Sequence, residues 1–410
     1  MSWKEVSVMS QRAELVSLAL AEGANVSALC VRFGVSRKTA YKWIGRSRAA
    51  AVTSGDATGG VAAGPTGSVY ADRSRRPLAP AGRTVAAMEE LVLSLRREHP
   101  AWGGRKLRRR LSDLGHDGVP AASTITEILR RHGLLDSAAG AGVPRAFQRF
   151  EHPQPNDLWQ MDFKGHFALT SPGRCHPLTV LDDHSRYSLG LRACGNEQGE
   201  TVRSELTAIF RKYGLPRRML MDNGSPWGDE AQQPWTQFTA WLVRLGIGVS
   251  HGRPYHPQTQ GKDERFHRTL KAEVLRDRSF SDLADCQRHF DPWRLSYNTE
   301  RPHEALSLAV PASRYRPSGR VFPETLPVVE YATDVVVRKA RRNGEIQFRG
   351  HRVRVGGAFA HEPLGLRATL TDDVWEVLYC AQGLGTLDLR AAIASDPHVL
   401  TLSRRIREVS

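Results

Sequence analysis

The sequence predicts a multidomain α/β protein with helical units first, a mixed-sheet core in the middle and a small β domain at the end. Apolar residues recur at helical spacing as far as about residue 134. From Asp157 the spacing changes to the alternation of a strand, and alternating runs return beyond residue 328. At 410 residues the chain is also longer than one ordinary hydrophobic core requires, which favours several domains.

The charge balance narrows the class of partner. Lysine and arginine outnumber the acidic residues by 58 to 43, and the net charge of +15 favours a polyanion such as nucleic acid. No stretch approaches the roughly 18 to 20 apolar residues that span a bilayer, and the first residues lack the apolar segment of a secretory signal. We therefore expect a cytoplasmic protein without membrane contact. The five cysteines lack the spacing of a zinc site or a disulfide framework, so we expect them to be reduced.

Residues 1–46 carry the pattern of a helix-turn-helix DNA-binding domain. Two short helices precede the segment FGVSRKTAYKWIGR, in which Gly34 supplies a tight turn and Ser36 an N-cap. The next helix is predicted to be a recognition helix whose side chains reach phosphates and base edges of double-stranded DNA. Its candidate DNA contacts are Arg37, Lys38, Tyr41 and Lys42. The alternative is an ordinary helical bundle with a solvated charged face.

A linker and a second helical unit follow. Residues 47–83 are rich in Ala, Gly, Ser, Thr and Pro with almost no large apolar side chains, which predicts a flexible linker. Residues 84–135 repeat the layout of helix, glycine turn and capped helix, with Ser123 as the candidate cap. One helix of this second helix-turn-helix-like unit is strongly basic, and its candidate phosphate contacts are Arg105, Lys106 and Arg109. A solvated helix face is again the alternative.

Residues 150–315 are predicted to form a mixed sheet with helices. The segment LWQMDF alternates apolar and polar side chains, and HPLTVLDDHSRYSLGLRA predicts two further strands, so the domain begins with an antiparallel meander. Strands and helices then alternate as far as a helix beginning near Gln260, which indicates a mixed α/β sheet. Residues 328–410 show alternating runs typical of a small β-barrel-like or sandwich domain.

Three acidic residues are candidates for a metal-dependent site. Asp162 lies on the polar side of a strand, where an unpaired carboxylate is costly unless it is exposed or metal-bound. Asp222 ends a strand before the turn residues Asn223 and Gly224, and Glu264 lies in the first turn of a helix, away from its apolar stripe. Carboxylates without His or Cys partners favour Mg²⁺ or Mn²⁺ over Zn²⁺. Taken singly, each acid also fits a structural role.

Four segments together carry a family resemblance: LWQMDF, MDNGSPW, PYHPQTQGKDERFHRTLK and YNTERPHEAL. They resemble the integrase core of insertion-sequence transposases and retroviral integrases. The resemblance covers about residues 150–315 and implies a ribonuclease-H-like fold whose DDE triad is Asp162, Asp222 and Glu264. We expect two Mg²⁺ ions per active site, with Mn²⁺ as a substitute, to support in-line displacement at phosphorus. The resemblance further implies a homo-oligomer on DNA, and we expect no small-molecule substrate.

The third acid has neighbours that compete for its role. The interval from Asp222 to Glu264 is 42 positions, wider than is usual in the family, and Asp263 and Glu273 are nearby acids. Asp263 is rotated by about 100° around the helix from Glu264. Glu264 is preferred because the acid directly precedes the aromatic pair in the family motif.

Other polar residues of this segment receive different roles. Asp182 and Asp183 are expected to serve the hairpin turn or an ion pair with Arg186 rather than the triad. His251 and His256 flank the loop before the third acid, where a loop position alone establishes little. The better candidate DNA contacts lie on or beside the helix that presents Glu264, and they are Lys262, Arg265 and Lys271.

The order of these domains predicts a DNA transposase of the DDE type, which is a polynucleotidyl transferase. The helical units would bind the terminal inverted repeats of a mobile element, and the core would nick its ends and join the freed 3′-hydroxyl to target DNA. Two alternatives remain: a DNA-binding regulator with an inactive core, and a metal-dependent nuclease that cuts without joining. Two DNA-binding units before the core favour recognition of element ends over the nuclease.

Overall fold

The computed structural model describes residues 7–53, 69–72, 84–135, 151–222, 224–228, 235–251, 261–390 and 399–402. The chain divides into two compact units, Met1–Arg83 and Thr84–Ser410. Within the described ranges, no helix is long and apolar enough to cross a membrane. All five cysteines lie in these ranges and are free thiols, as the sequence predicts.

The described part of the first unit is helical. Its helices are α1 (Val8–Ala19), α2 (Val26–Arg32) and α3 (Arg37–Thr53). The Ser36 hydroxyl accepts a hydrogen bond from the Thr39 amide at 3.2 Å, so Ser36 caps α3 as predicted. Gly34 has a φ of +64° in the turn between α2 and α3, a conformation that glycine adopts without steric cost. The helices pack around a small core of Leu15, Val16, Cys30, Ala40, Trp43 and Ile44.

The second unit begins with another group of helices. These are α4 (Ala86–Glu98), α5 (Gly104–Asp113) and α6 (Ala122–Arg131), and they enclose a core that includes Trp102, Leu107 and Ile125. The prediction that Ser123 caps the last helix is wrong. Ala121 is the N-cap and makes no side-chain cap hydrogen bond. The helix begins two residues after Pro120, so the Ser123 hydroxyl lies inside the first turn instead of before it.

The predicted mixed sheet is confirmed. Its strands are β1 (Leu158–Phe163), β2 (Phe167–Ala168), β3 (Arg174–Asp182), β4 (Ser188–Cys194), β5 (Arg218–Met221) and β6 (Gly248–His251). Strand β3 pairs in antiparallel fashion with β1, β2 and β4. Strand β5 is parallel to both β1 and β6. The antiparallel meander therefore continues into a parallel edge, as expected when helices connect the later strands.

Helices cover this sheet. They are α7 (Gly199–Tyr213), α8 (Gln237–Arg244), α9 (Gly261–Leu270), which continues into a π-helical turn at Lys271–Leu275, and α10 (Leu283–Thr299). Trp159 and Met161 of β1 are fully buried in a core with residues of α7 and α8. Because side chains alternate along a strand, Asp162 points to the opposite face, where it meets α9.

The C-terminal region is a β domain with sheets that share one hydrophobic core. Its strands are β7 (Val336–Lys339), β8 (Glu345–Phe348), β9 (His351–Arg354), β10 (Pro363–Ala368), β11 (Val374–Tyr379), β12 (Gln382–Asp388) and β13 (Val399–Thr401). Among the described strands, pairing gives the orders β12-β11-β10-β7 and β13-β9-β8. The chain passes from one of these sheets to the other between β7 and β8. There the Ala340 amide donates to the main-chain oxygen of Glu362, and the next amide, that of Arg341, donates to the main-chain oxygen of Glu345. The β domain is confirmed, but a closed barrel is not.

Candidate active site

Asp162 and Asp222 lie in one register on neighbouring parallel strands. Leu158 pairs with Arg218 and Gln160 with Leu220, so continuing the register by two residues brings Asp222 beside Asp162. Neighbouring strands are about 4.8 Å apart, which places the two aspartates next to each other at the end of β5. The Asp222 carboxylate accepts a hydrogen bond from the Gly224 amide at 3.0 Å. Asn223, which the sequence also places in this turn, lies outside the described residues.

The two carboxylates share an unfavourable electrostatic environment. Burial raises the pKa of Asp162 to about 7, and the charge of Asp222 adds to the effect. Burial also raises the pKa of Asp222, against the lowering effect of the hydrogen bond from Gly224. The charge of Glu197, just beyond β4, raises the pKa of both aspartates. A bound cation would relieve this repulsion, and oxygen donors of this kind suit Mg²⁺.

Glu264, the third predicted carboxylate, is placed differently. Its side chain is 66% exposed and forms an ion pair with Arg268 at 2.9 Å, one turn along α9. Asp263, one position earlier, is only 1% exposed. Among the described residues, neither carboxylate oxygen of Asp263 has a hydrogen-bond partner. Burial raises the pKa of Asp263 well above its usual value, and the charges of Asp162 and Asp183 reinforce this. In this arrangement α9 therefore turns Asp263, rather than Glu264, toward the sheet.

The described residues accordingly do not form a complete metal cage. Within them, no three His, Cys, Asp or Glu side chains lie close enough to share one ion. What they provide is the adjacent pair Asp162 and Asp222, with α9 beside β1. This pair has the oxygen donors and the unrelieved charge that fit a divalent cation.

His267 connects α9 to the strand that carries Asp162. Its Nδ1 atom lies 3.9 Å from Asp162 Oδ2, and its Nε2 atom lies 2.8 Å from Thr179 Oγ1. The Thr179 hydroxyl in turn donates to the main-chain oxygen of Asp162 at 2.9 Å. Burial lowers the pKa of His267 to about 4, so its imidazole is neutral at physiological pH. In the sequence His267 comes three residues after Glu264 and directly before Arg268. Unlike these two exposed residues, His267 is buried against the sheet.

Comparisons with known families agree with this sheet. Family models described as "Integrase core domain" match residues 152–257 and 245–311. Together the two models match residues 152–311. The resemblance seen in the sequence is thereby confirmed. The model "IS481 family transposase, C-terminal domain" matches residues 335–395, which lie in the β domain. "Helix-turn-helix domain" matches residues 11–51, and "Homeodomain-like domain" matches residues 39–129.

Relatives of the integrase core are found among insertion elements. The "Insertion element IS476 uncharacterized 39.2 kDa protein" of Xanthomonas euvesicatoria is 33% identical over 160 residues, which cover 38% of this chain and 44% of that protein. The "Insertion element IS407 uncharacterized 31.7 kDa protein" of Burkholderia multivorans is 28% identical over 184 residues, covering 45% and 61%. The chain thus spans less than two thirds of either relative. The HTLV-2 integrase catalytic core domain, solved in complex with magnesium, aligns with a TM-score of 0.31 at 16% identity, covering 40% of this chain and 99% of that one.

The candidate DNA contacts of the first unit lie together on the surface of α3. The exposed side chains are those of Arg37, Lys38, Tyr41 and Lys42. Behind them, Trp43 is buried, and the Lys42 ammonium lies 4.5 Å from the centre of its ring. The core of the unit therefore fixes the helix while leaving this basic face open to a ligand.

The basic helix α5 is used differently from the sequence-based prediction. Arg105 and Arg109 are exposed, whereas Lys106 is partly buried and Arg110 forms an ion pair with Glu300 at 3.1 Å. Burial lowers the pKa of Lys106 to about 8, with a further lowering from the charge of nearby Arg301. Lys106 thus faces the integrase core. Its role as a phosphate contact stays a prediction.

The candidate DNA contacts on and beside α9 differ in their surroundings. The Lys262 ammonium forms an ion pair with the buried Asp183, which also accepts a hydrogen bond from Gln160 Nε2 at 2.7 Å. Lys262 is therefore paired within the protein, and its role as a DNA contact stays a prediction. Arg265 and Lys271 are exposed on the same helix. Asp182 caps its own hairpin by accepting from the Ser185 amide at 2.8 Å, as expected for a turn role.

Proposed function

We propose that this chain is a DNA transposase that binds the ends of a mobile element, cleaves them and joins them to target DNA. One observation carries the proposal most strongly: Asp162 and Asp222 share a register at the parallel edge of an integrase-core sheet, and both have raised pKa values. Such paired carboxylates are poised to hold a divalent cation, and structural ion pairs would lower these pKa values instead.

Asp162 and Asp222 are the residues that would hold Mg²⁺ or Mn²⁺. When two such ions are bound, they supply an activated hydroxyl nucleophile and charge stabilisation of the leaving 3′-oxygen. The carboxylates of the chain would hold these ions in place, and the fully buried face of β1 behind them keeps the strand of Asp162 fixed.

Glu264 is the proposed third carboxylate. It lies in the first turn of α9, one position from Asp263, whose charge interacts with that of Asp162. The first turn of a helix is its least constrained part, since its amides lack partners within the helix. A rearrangement of this turn on binding of DNA or metal, which releases Glu264 from Arg268, would be needed to bring Glu264 to the aspartate pair. Asp263 is the alternative third carboxylate, and the two acids are distinguished by replacing each in turn.

DNA binding is assigned to the helical units and to exposed residues near the acids. Arg37, Lys38, Tyr41 and Lys42 form the proposed recognition face of α3. In the second unit the proposed phosphate contacts are Arg105 and Arg109, and beside the site they are Arg265 and Lys271. Each element end needs one active site, so the working form on DNA is proposed to be a homo-oligomer that holds the ends together.

The decisive experiment is a cleavage and strand-transfer assay with labelled element-end DNA in Mg²⁺ or Mn²⁺. Wild type is compared with Asp162→Asn, Asp222→Asn, Glu264→Gln and Asp263→Asn, and the exposed Asp277→Asn is the charge-matched control. We expect Asp162, Asp222 and Glu264 variants to bind the ends without cutting or joining them, and the control to behave as wild type.

The other outcomes identify the alternatives. Wild type that binds the ends but makes no product is a regulator, and wild type that cuts without joining is a nuclease. Activity that survives in Glu264→Gln but not in Asp263→Asn moves the third carboxylate to Asp263.

A further inference from the structure

His267 connects α9 to the strand that carries Asp162. It is 8% exposed, and its imidazole spans from Asp162 Oδ2 on β1 to Thr179 Oγ1 on β3. Thr179 is the register partner of Asp162 and is fully buried. The two strands and the helix are thus joined at one point, next to the aspartate pair.

The hydrogen bonds assign the proton on the ring. A threonine hydroxyl has a single proton, and Thr179 donates it to the main-chain oxygen of Asp162. The Thr179 oxygen can therefore only accept from His267 Nε2, so that nitrogen carries the proton. The other ring nitrogen, Nδ1, faces Asp162 Oδ2 across 3.9 Å.

This chain of contacts places Asp162 relative to α9. The Thr179 hydroxyl binds the main-chain oxygen of Asp162, and the His267 ring that holds Thr179 lies beside the Asp162 carboxylate. At 3.9 Å the ring makes no hydrogen bond to that carboxylate, so the link to Asp162 passes through Thr179. An arginine or lysine at this position would pair with Asp162 and compete with a bound cation.

We propose that His267, held by Thr179, is a positioning residue that holds Asp162 in place to bind the divalent cation. The inference rests on the proposed function, since it needs Asp162 to be a metal ligand. Residues that orient a metal ligand without touching the ion typically change metal affinity or activity by about 10- to 100-fold when they are replaced.

The test combines metal binding with catalysis. Mn²⁺ affinity of the full chain is measured by calorimetry, and the Mg²⁺ dependence of element-end cleavage is measured in parallel. The variants are His267→Leu, which removes both contacts, and His267→Gln, whose amide can again donate to Thr179. Thr179→Val removes the hydroxyl that links His267 to Asp162, and Thr179→Ser retains it. His289→Leu is the matched control, a helical histidine of α10 whose Nδ1 lies 3.5 Å from Asp285.

We expect His267→Leu and Thr179→Val to weaken Mn²⁺ binding and raise the Mg²⁺ requirement by about 10- to 100-fold. His267→Gln, Thr179→Ser and His289→Leu should remain close to wild type, and the double variant His267→Leu/Thr179→Val should be no worse than either single one. Circular dichroism tests whether each variant is folded. If His267→Leu does not fold, His267→Met takes its place.

The outcomes separate the two proposals. Wild type that binds Mn²⁺ without producing cut or joined DNA contradicts the proposed function but leaves the positioning test intact. Wild-type Mn²⁺ affinity in folded His267→Leu or His267→Met overturns the positioning role, as does a failure of wild type to bind Mn²⁺ at all. Equal losses in His267→Leu and His267→Gln also overturn it, because they show that the link to Thr179 is not what matters.

Discussion

Asp162 and Asp222 extend in the same register from the neighbouring parallel strands β1 and β5, and the pKa of Asp162 is raised to about 7 by burial and by the charge of Asp222. Without a cation, this arrangement favours the protonated form of Asp162 in the folded protein. The ionised pair therefore lowers the free energy of unfolding at neutral and alkaline pH. Its effect can be measured by unfolding experiments that do not depend on catalysis.

The first prediction concerns pH. The folded-state pKa of Asp162 lies above its unfolded value of 3.8, so its contribution to stability is complete below pH 3.8 and is lost as the pH rises toward 7. Asp162→Asn removes this loss. In the presence of a chelator, the stability advantage of the variant should grow between pH 5 and pH 8 by on the order of 3 kcal/mol. Urea unfolding of both proteins at each pH measures this, and a difference that does not change with pH contradicts it.

The second prediction concerns metal. Because a ligand that binds only the folded state stabilises it, Mg²⁺ at about 100 times its dissociation constant should add about 2.7 kcal/mol. We expect Mg²⁺ to raise the melting temperature of wild type and of the exposed control Asp277→Asn, but not that of Asp162→Asn or Asp222→Asn. Differential scanning calorimetry with and without Mg²⁺ tests this. Equal shifts in all four proteins would place the binding site elsewhere.

The third prediction separates a structural lysine from a DNA-binding one. Lys262 is 19% exposed and pairs with Asp183, which is 1% exposed, whereas Lys271 is exposed on the same helix. Lys262→Met leaves a buried carboxylate without its cation and should lower the free energy of unfolding by about 3–5 kcal/mol. Lys271→Ala should change it by less than about 0.5 kcal/mol.

DNA binding by the same two variants completes the comparison. Lys271→Ala should reduce the slope of log affinity against log salt concentration by about 1, as expected when one phosphate contact is lost. Lys262→Met should leave that slope unchanged at a temperature at which it is folded. A stable Lys262→Met protein with a reduced salt slope would restore Lys262 as a DNA contact.

The fourth prediction addresses the recognition face of α3. Arg37→Ala and Lys42→Ala should each weaken binding of element-end DNA, with a loss of about 1 in the salt slope for each phosphate contact removed. Arg32→Ala on α2 is the control, because Arg32 lies outside this face and pairs with Glu14 at 3.4 Å. Fluorescence anisotropy over a range of salt concentrations measures the effect, and equal losses in all three variants would indicate a nonspecific charge effect.

Much of the fold follows from local patterns in the sequence. The alternation in LWQMDF predicts β1, and burial confirms it, since Trp159 and Met161 are fully buried while Asp162 faces the other way. Ser36 is correctly predicted as a cap because capping depends on a few adjacent residues. The prediction for Ser123 fails because the chain around Pro120 starts α6 before that residue is reached.

The sequence by itself determined the order of helical, mixed-sheet and β segments and the places of Asp162 on its strand and Asp222 at a strand end, because strand period and strand ends are local properties. The parallel pairing that brings the two aspartates together joins strands that are distant along the chain, so the tertiary structure decided it. Only the tertiary structure decided which charges are taken up inside the protein. Lys106, Lys262 and Asp263 look like surface residues in the sequence. In the structure the two lysines are partly buried and Asp263 is fully buried, by elements that are distant along the chain. Helical spacing gives the relative phase of the residues on α9, but the packing of Phe266, His267 and Leu270 against the sheet sets which acid points inward. That choice depends on the energy of burying one helix face against another element, which no local pattern contains.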